Sequence, residues 1–184
     1  MTDGSAKLPP IVLVHGYTAC HLVERDSGSR RYLQLFGLFG VTIPALQLPM
    51  QWEKDEATGK LRQKTDELVP GEIIYDPVGP LSGLIGQRII GNLVDDLRAK
   101  YGKETTVHGR LDSTTDRARY DPEKQRLFFF TYDWRRDNNE SSERLRNFLS
   151  DLKETHELPQ VVAHSNGGLL AYVALNEADE ELAK

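Results

Sequence analysis

Short apolar runs alternate along this chain with longer stretches in which apolar residues recur every three or four positions. "PIVLVHG" (residues 10–16), "RLFFFTYDW" (126–134) and "QVVAHS" (160–165) are β-branched or aromatic and are bounded by breakers. They predict central strands of a parallel sheet, buried on both faces. Between them, Ile85, Ile89, Leu93 and Leu97 share helical spacing, with Ile90, Val94 and Tyr101 alongside and a stop at Gly102. A second helix carries Leu145, Phe148, Leu149 and Leu152, follows the cap-rich "DNNESS" and ends at "LPQ". A third begins after Ser165, with Leu169, Leu170, Val173 and Ala174 on one side. Strands alternating with helices predict an α/β fold with a mostly parallel, doubly wound sheet and flanking helices.

Two regions break the rhythm. Residues 41–84 are punctuated by Pro44, Pro49, Pro70, Pro77 and Pro80 and include the polar "MQWEKDEATGK", which predicts an excursion of the cap or lid kind. Residues 103–125 are polar throughout, with a turn signal at Asp121-Pro122, and predict a surface loop or short hairpin. There is no internal repeat, and 184 residues suit one domain, 1–184.

Composition narrows the functional classes. A formal net charge of -5, with the paired basic residues Arg30-Arg31 and Arg135-Arg136 isolated, argues against a nucleic-acid partner. One cysteine, Cys20, gives neither a disulfide framework nor a thiolate zinc cage, and no HExxH or clustered His/Cys spacing replaces it. No metal and no cofactor are therefore expected. The N-terminus "MTDGSAKLPP" has no apolar signal core, and no run approaches the roughly 18 apolar residues of a bilayer span, so a cytoplasmic location is expected.

Chemistry enters at "QVVAHSNGGLLAYVAL" (residues 160–175). A serine between a buried strand and a helix has the pattern of a nucleophile elbow, a sharp turn that needs small residues two before and two after the serine. Ala163 and Gly167 meet that demand around Ser165. A helix starting at Asn166 would aim its unpaired N–H groups at an oxyanion, making the Asn166 backbone N–H one donor. The alternative is a tight strand-to-helix turn with no chemistry. "IVLVHGY" ends a strand in His15-Gly16, where a second donor loop belongs, and Tyr17 N–H is assigned to it, with Thr18 as the alternative. Strand alternation turns His164 away from Ser165, so it reads as a packing residue. His15 reads as loop-shaping, and His21, His108 and His156 as surface residues.

With "VPGEIIYDPVGPL" and "FFFTYDWRRDN" added to the stretches around Gly16 and Ser165, the chain resembles the lecithin:cholesterol acyltransferase family, particularly its bacterial-type members. Tyr132-Asp133-Trp134-Arg135 is the most specific match, and residues 105–124 are the least matched. The resemblance implies an α/β-hydrolase fold and a serine-dependent transfer of a fatty acyl group from a lipid ester to water or an alcohol. That is the work of an O-acyltransferase or lipase/esterase, with transient contact at a lipid surface. It places the nucleophile at Ser165 and the oxyanion donors at Tyr17 and Asn166. Trp52 falls where relatives carry a lid segment near the acyl chain, although the lid cysteines of animal relatives are absent. Arg135, Arg136 and Asp137 read as an ion-pair cluster fixing the loop into the next helix, and the sequon Asn139-Glu140-Ser141 reads as chance.

In α/β hydrolases the triad runs Ser, then Asp or Glu, then His, each on a later strand. After Glu181 only Leu182-Ala183-Lys184 follow. The expectation is an N-terminal fragment, or a truncated or degenerate relative: an incomplete α/β-hydrolase domain, inactive alone, with the Ser165 strand at or near an uncovered sheet edge. A non-catalytic α/β-hydrolase-like module that binds a lipid or a protein partner is the alternative class.

Overall fold

Residues 11–14 and 127–131 alternate between two hydrophobic clusters, and that alternation organises the molecule. In the computed structural model, which describes residues 8–31, 34–36, 40–42, 50–74, 90–111, 121, 124–155 and 158–177, they form β1 (Ile11–Val14) and β9 (Leu127–Thr131). Ile11, Leu13, Leu127 and Phe129 face helix α1 (Gly91–Tyr101), against Ile90, Val94 and Leu97. Val12, Val14, Phe128 and Phe130 face the other way, into a cluster with α2 (Asn138–Thr155) and α3 (Asn166–Asn176). One strand can serve two cores because successive side chains point to opposite faces. The outcome is an α/β fold with helices on both sides of a four-stranded sheet, whose order is β10 (Gln160–Ala163), β1, β9, β8 (Thr105–His108). All three pairings are parallel.

The sequence signals for the helices act as written. Gly102 closes α1 at φ 84, donating its N–H to Arg98 O, a backbone angle that favours glycine. Asp137 opens α2: its Oδ1 accepts the Asn139 N–H at 2.8 Å. On α2, Leu145, Phe148, Leu149 and Leu152 are buried at helical spacing, Phe148 edge-on to Phe128. On α3 the buried side is Leu170, Ala171 and Ala174; Leu169, assigned to that side, is exposed, as is Tyr172.

Two expectations change. Residues 103–125 are not all surface loop: Thr105–His108 is β8, an edge strand paired with β9 and anchored beside the end of α1 by the Arg98–Glu104 ion pair. An edge strand with only Val107 buried needs few apolar residues, so polarity hid it. Within residues 41–84, the described part is built of strands. β5 (Trp52–Lys54) and β6 (Leu61–Gln63) form a hairpin, and β7 (Leu68–Ile73) pairs antiparallel with β2 (Cys20–Glu24), burying Val69 and Ile73. A short antiparallel pair joins β3 (Gln34–Phe36) and β4 (Gly40–Thr42). Ile85, Ile89, His156, Pro44, Pro49, Pro77, Pro80 and residues 178–184 lie outside the described residues.

Candidate functional site

Ser165 lies where β10 ends and α3 begins, at the carboxyl edge of the parallel sheet, the edge at which open α/β folds gather their sites. Its backbone is at φ 53, ψ -123. That combination lies outside the β, right-handed and left-handed regions open to a residue with a Cβ. A serine at a helix start ordinarily sits in the β region and caps the first turn with its hydroxyl. Ser165 does neither: it makes no side-chain cap and is exposed. The turn is closed by backbone instead, with Gly167 N–H donating to His164 O (3.0 Å) and Gly168 N–H to Ser165 O (2.8 Å). Asn166 is the first residue of α3, where an N–H has no carbonyl within the helix to bond.

The neighbouring strand end carries the second strained residue. Among the described residues, Thr18 (φ 60) and Ser165 alone combine a side chain with positive φ, one just after β1 and the other just after β10. Backbone strain gathered at two adjacent strand ends is characteristic of functional sites. The two ends are in close contact. A Cβ on Gly16 would stand 3.1 Å from Ser165 Cβ and 2.8 Å from His164 Nδ1. A Cβ on Gly167 would stand 2.6 Å from Val14 O and closer still to His15 O. Gly167 is thus required by the carbonyls at the end of β1, whereas the elbow pattern had ascribed it to crowding with Ala163.

His15 is wholly buried and stacks on Tyr132, with ring centroids 4.3 Å apart and planes 6° from parallel. Tyr132 N–H can only donate, so His15 Nε2 accepts it (3.2 Å), and the ring proton resides on Nδ1, which donates to Gly16 O at 2.7 Å. Burial pushes its pKa down to about 4. The ring is therefore a neutral brace for the β1 loop, as its loop-shaping assignment had it, and is spent as a proton carrier. Burial also raises the Tyr132 phenol to about 12 and holds the Cys20 thiol well above its ordinary value, with Asp133 adding to the latter, so neither is a nucleophile near neutrality.

Tyr132-Asp133-Trp134-Arg135 follows β9, the strand beside β1, and all four side chains are buried. Trp134 Nε1 donates to Cys20 O, and Trp134 meets the exposed Tyr17 ring edge-on at 5.1 Å. The buried Arg135 guanidinium holds Asp133 (2.6 Å) and Asp66 (2.7 Å). Arg136 pairs with Glu140 and donates to Gln63 O and Lys64 O. This bears out an ion-pair role for the two arginines, while Asp137 caps a helix rather than joining them.

Three histidine assignments need correction. His21 is buried and His108 is half-buried, its Nδ1 2.8 Å from Thr131 Oγ1, so neither is a surface residue; both sit on strands whose inner faces are covered. His164 lies against Gly16 but is exposed, because β10 has a neighbour on one side only among the described residues. Trp52 is exposed on the β5–β6 hairpin. Among the described residues, the hairpin's bonds to the core run through Gln63 to the Arg136–Glu140 segment and not to the Ser165 turn. Asn138, Gln63 and Asp66 had drawn no assignment. Their partners stand 28, 74 and 69 residues away, beyond any local pattern.

Among the described residues no helix is long and apolar enough to cross a membrane, and no group of three or more His, Cys, Asp or Glu is placed to hold a metal ion. A scan against protein-family models, a search of curated proteins and a search of solved structures each returned no match.

Proposed function

We propose that the chain carries a serine acyl-transfer site of the α/β-hydrolase kind, with Ser165 as nucleophile and the backbone N–H groups of Asn166 and Tyr17 as oxyanion donors. The observation that carries this reading is the backbone of Ser165: φ 53, ψ -123, at a sheet edge, with no cap to compensate it. Strand order supports it, since the serine strand adjoins β1, whose loop would supply the second donor. In such a site Ser165 Oγ attacks an ester carbonyl carbon. The carbonyl electrons move to oxygen, where the two N–H groups receive them, and the alcohol leaves with a proton. Water or a second alcohol then takes the acyl group from serine.

The proton on Oγ needs a base. His15 is excluded by its bonds and its low pKa, so the reading calls for a histidine other than His15, oriented by a carboxylate. A lipid ester is the proposed acyl donor. Its support is the resemblance of four stretches of the chain to the lecithin:cholesterol acyltransferase family.

Reaction of the 184-residue chain with a fluorophosphonate, read by mass spectrometry of the Ser165 peptide, tests the assignment. Slow labelling of Ser165 that vanishes in Ser165→Ala is expected, because a nucleophile and oxyanion site without a full triad retain only about 10³ to 10⁴-fold catalysis over water. Labelling that survives Ser165→Ala, or none at Ser165 in the wild-type chain, would overturn the reading and favour a non-catalytic binding module.

A further inference from the structure

The Asn166 side chain is held at three points. Its Nδ2 donates to Tyr132 Oη (3.0 Å) and to Asn138 Oδ1 (3.1 Å), and its Oδ1 accepts from Asn138 Nδ2 (3.1 Å). Both amide hydrogens and the carboxamide oxygen are thereby used. A reciprocal pair of primary amides fixes orientation as well as distance. From Tyr132 the set continues, its Oη donating to His15 O (3.2 Å), the carbonyl beside Gly16. One connected set of bonds thus runs from the first residue of α2, through the first residue of α3, to the end of β1. Asn166, in the middle of the set, follows Ser165 in the chain, and Gly16, beside its His15 end, lies against Ser165.

The two residues leading into α2 are themselves anchored. Asp137 N–H donates to Gln63 Oε1 at 2.6 Å, and Arg136, on the same turn, donates to Gln63 O at 2.8 Å. Cohesion between α2 and α3 does not require an amide pair, since Leu145, Leu149, Leu170, Ala171 and Ala174 already share one apolar cluster. What the pair adds is a fixed orientation for the residue whose main-chain N–H follows the serine.

We propose that Asn138 is a positioning residue for the acyl-transfer site: paired with Asn166 and acting together with Tyr132, it sets the Asn166 N–H against the His15–Gly16 segment at the spacing an oxyanion needs. The proposal rests on the reading of Ser165 as the nucleophile. Oxyanion donors act over a narrow range, about 2.7–3.1 Å from the charged oxygen. A displacement of about 1 Å in a reacting constellation costs on the order of 10²-fold in rate. Freed from Asn138, the Asn166 side chain keeps its Tyr132 contact alone, and the first peptide of α3 loses that constraint on its orientation.

An alkyl fluorophosphonate tests this, because its phosphoryl oxygen occupies the oxyanion position as the Oγ–P bond forms. The P–F bond breaks, fluoride leaves, and the serine proton passes to solvent or buffer base. The maximal labelling rate and the half-saturating probe concentration are measured for the full chain and for Asn138→Leu, Tyr132→Phe and the double variant, with a melting curve for each. Asn138→Leu is expected to lower the maximal rate about tenfold or more, leaving the half-saturating concentration and the melting temperature near wild type. Because both side chains act on one amide, the double variant should be slower than the slower single variant by no more than about twofold. Should Asn138→Leu not fold, Asn138→Asp decides in its place: it keeps the acceptor for Asn166 Nδ2, loses the donor to Oδ1, and should also be slowed at maximal rate. A wild-type rate in the Asn138 variant, a loss that appears only in half-saturation or only alongside a lowered melting temperature, or multiplicative effects in the double variant would overturn the proposal. Absence of labelling at Ser165 in the wild-type chain would instead remove the nucleophile reading, and this proposal with it.

Discussion

Replacing Ser165 by glycine should stabilise the protein and, under the proposed nucleophile role, abolish its labelling by a fluorophosphonate. At φ 53, ψ -123 a residue with a Cβ is held outside its allowed regions, and such strain costs about 1–3 kcal/mol. Glycine relieves it, but the greater freedom of glycine in the unfolded chain takes back about 0.5–1 kcal/mol. Near the middle of these two ranges the net expected gain is roughly 1–2 kcal/mol. For a chain of this length each kcal/mol moves the melting temperature by about 2–4 °C, so the shift should be roughly 2–8 °C upward. Ser165→Ala separates strain from hydroxyl loss. Alanine retains the Cβ, and the hydroxyl it removes caps nothing, so its stability should stay within about 0.5 kcal/mol of wild type. Calorimetry or urea denaturation of the three proteins under one set of conditions is the assay, with fluorophosphonate labelling of each in parallel. The reasoning fails if Ser165→Gly melts at or below wild type, or if alanine stabilises as much as glycine. An order of Gly above Ala, with Ala equal to Ser, is what strain kept for a reacting hydroxyl requires.

Burial holds His15 at about 4 against an ordinary 6.5, so below pH 6.5 the unfolded chain binds a proton that the folded one refuses. The neutral form's contribution is complete above 6.5 and is lost as pH falls toward 4, about 3 kcal/mol in all. Urea denaturation should show the difference between wild type and His15→Gln shrinking across that window, and a pH-independent difference would refute it. Arg135→Leu strands the carboxylates of Asp133 and Asp66 in the interior and should cost about 3–5 kcal/mol by chemical denaturation, whereas a loss under about 1 kcal/mol would show the pair to be solvated. Gly167→Ala drives a methyl into Val14 O and His15 O, and should destabilise by about 1–3 kcal/mol while lowering Ser165 labelling; an unchanged melting curve would contradict the contact. In hydrogen exchange, amides of residues 51–60 should exchange faster than those of Ile11–Val14, because the hairpin is exposed and β1 lies buried between two strands; equal protection would count against a mobile excursion.

Local pattern was enough for the parts of this protein whose surroundings are uniform. β1 and β9 are enclosed on both faces, so nearly every position had to be apolar, and "IVLV" and "LFFFT" announce themselves. The helices declared their ends through single residues, Gly102 and Asp137, whose effect is local. The serine turn was legible for the same reason, since a strained strand-to-helix corner admits few residues beside it. Tertiary structure decided what depends on who the neighbour is. β8 is a strand because β9 offers it an edge, and polar residues suffice on a strand covered so little. His21 lies under cover that its own sequence neighbours do not supply. Gly167 is small because the carbonyls of Val14 and His15 press against it from a strand about 150 residues earlier, a distance no local spacing rule spans. Arg135 with Asp66, and Asn138 with Asn166, meet only once the sheet and its two helical layers have formed. Hydrogen bonds and ion pairs act over a few ångströms of space, whereas hydrophobic periodicity acts along the chain, so the sequence by itself determined the layers and the fold determined the contacts around Ser165.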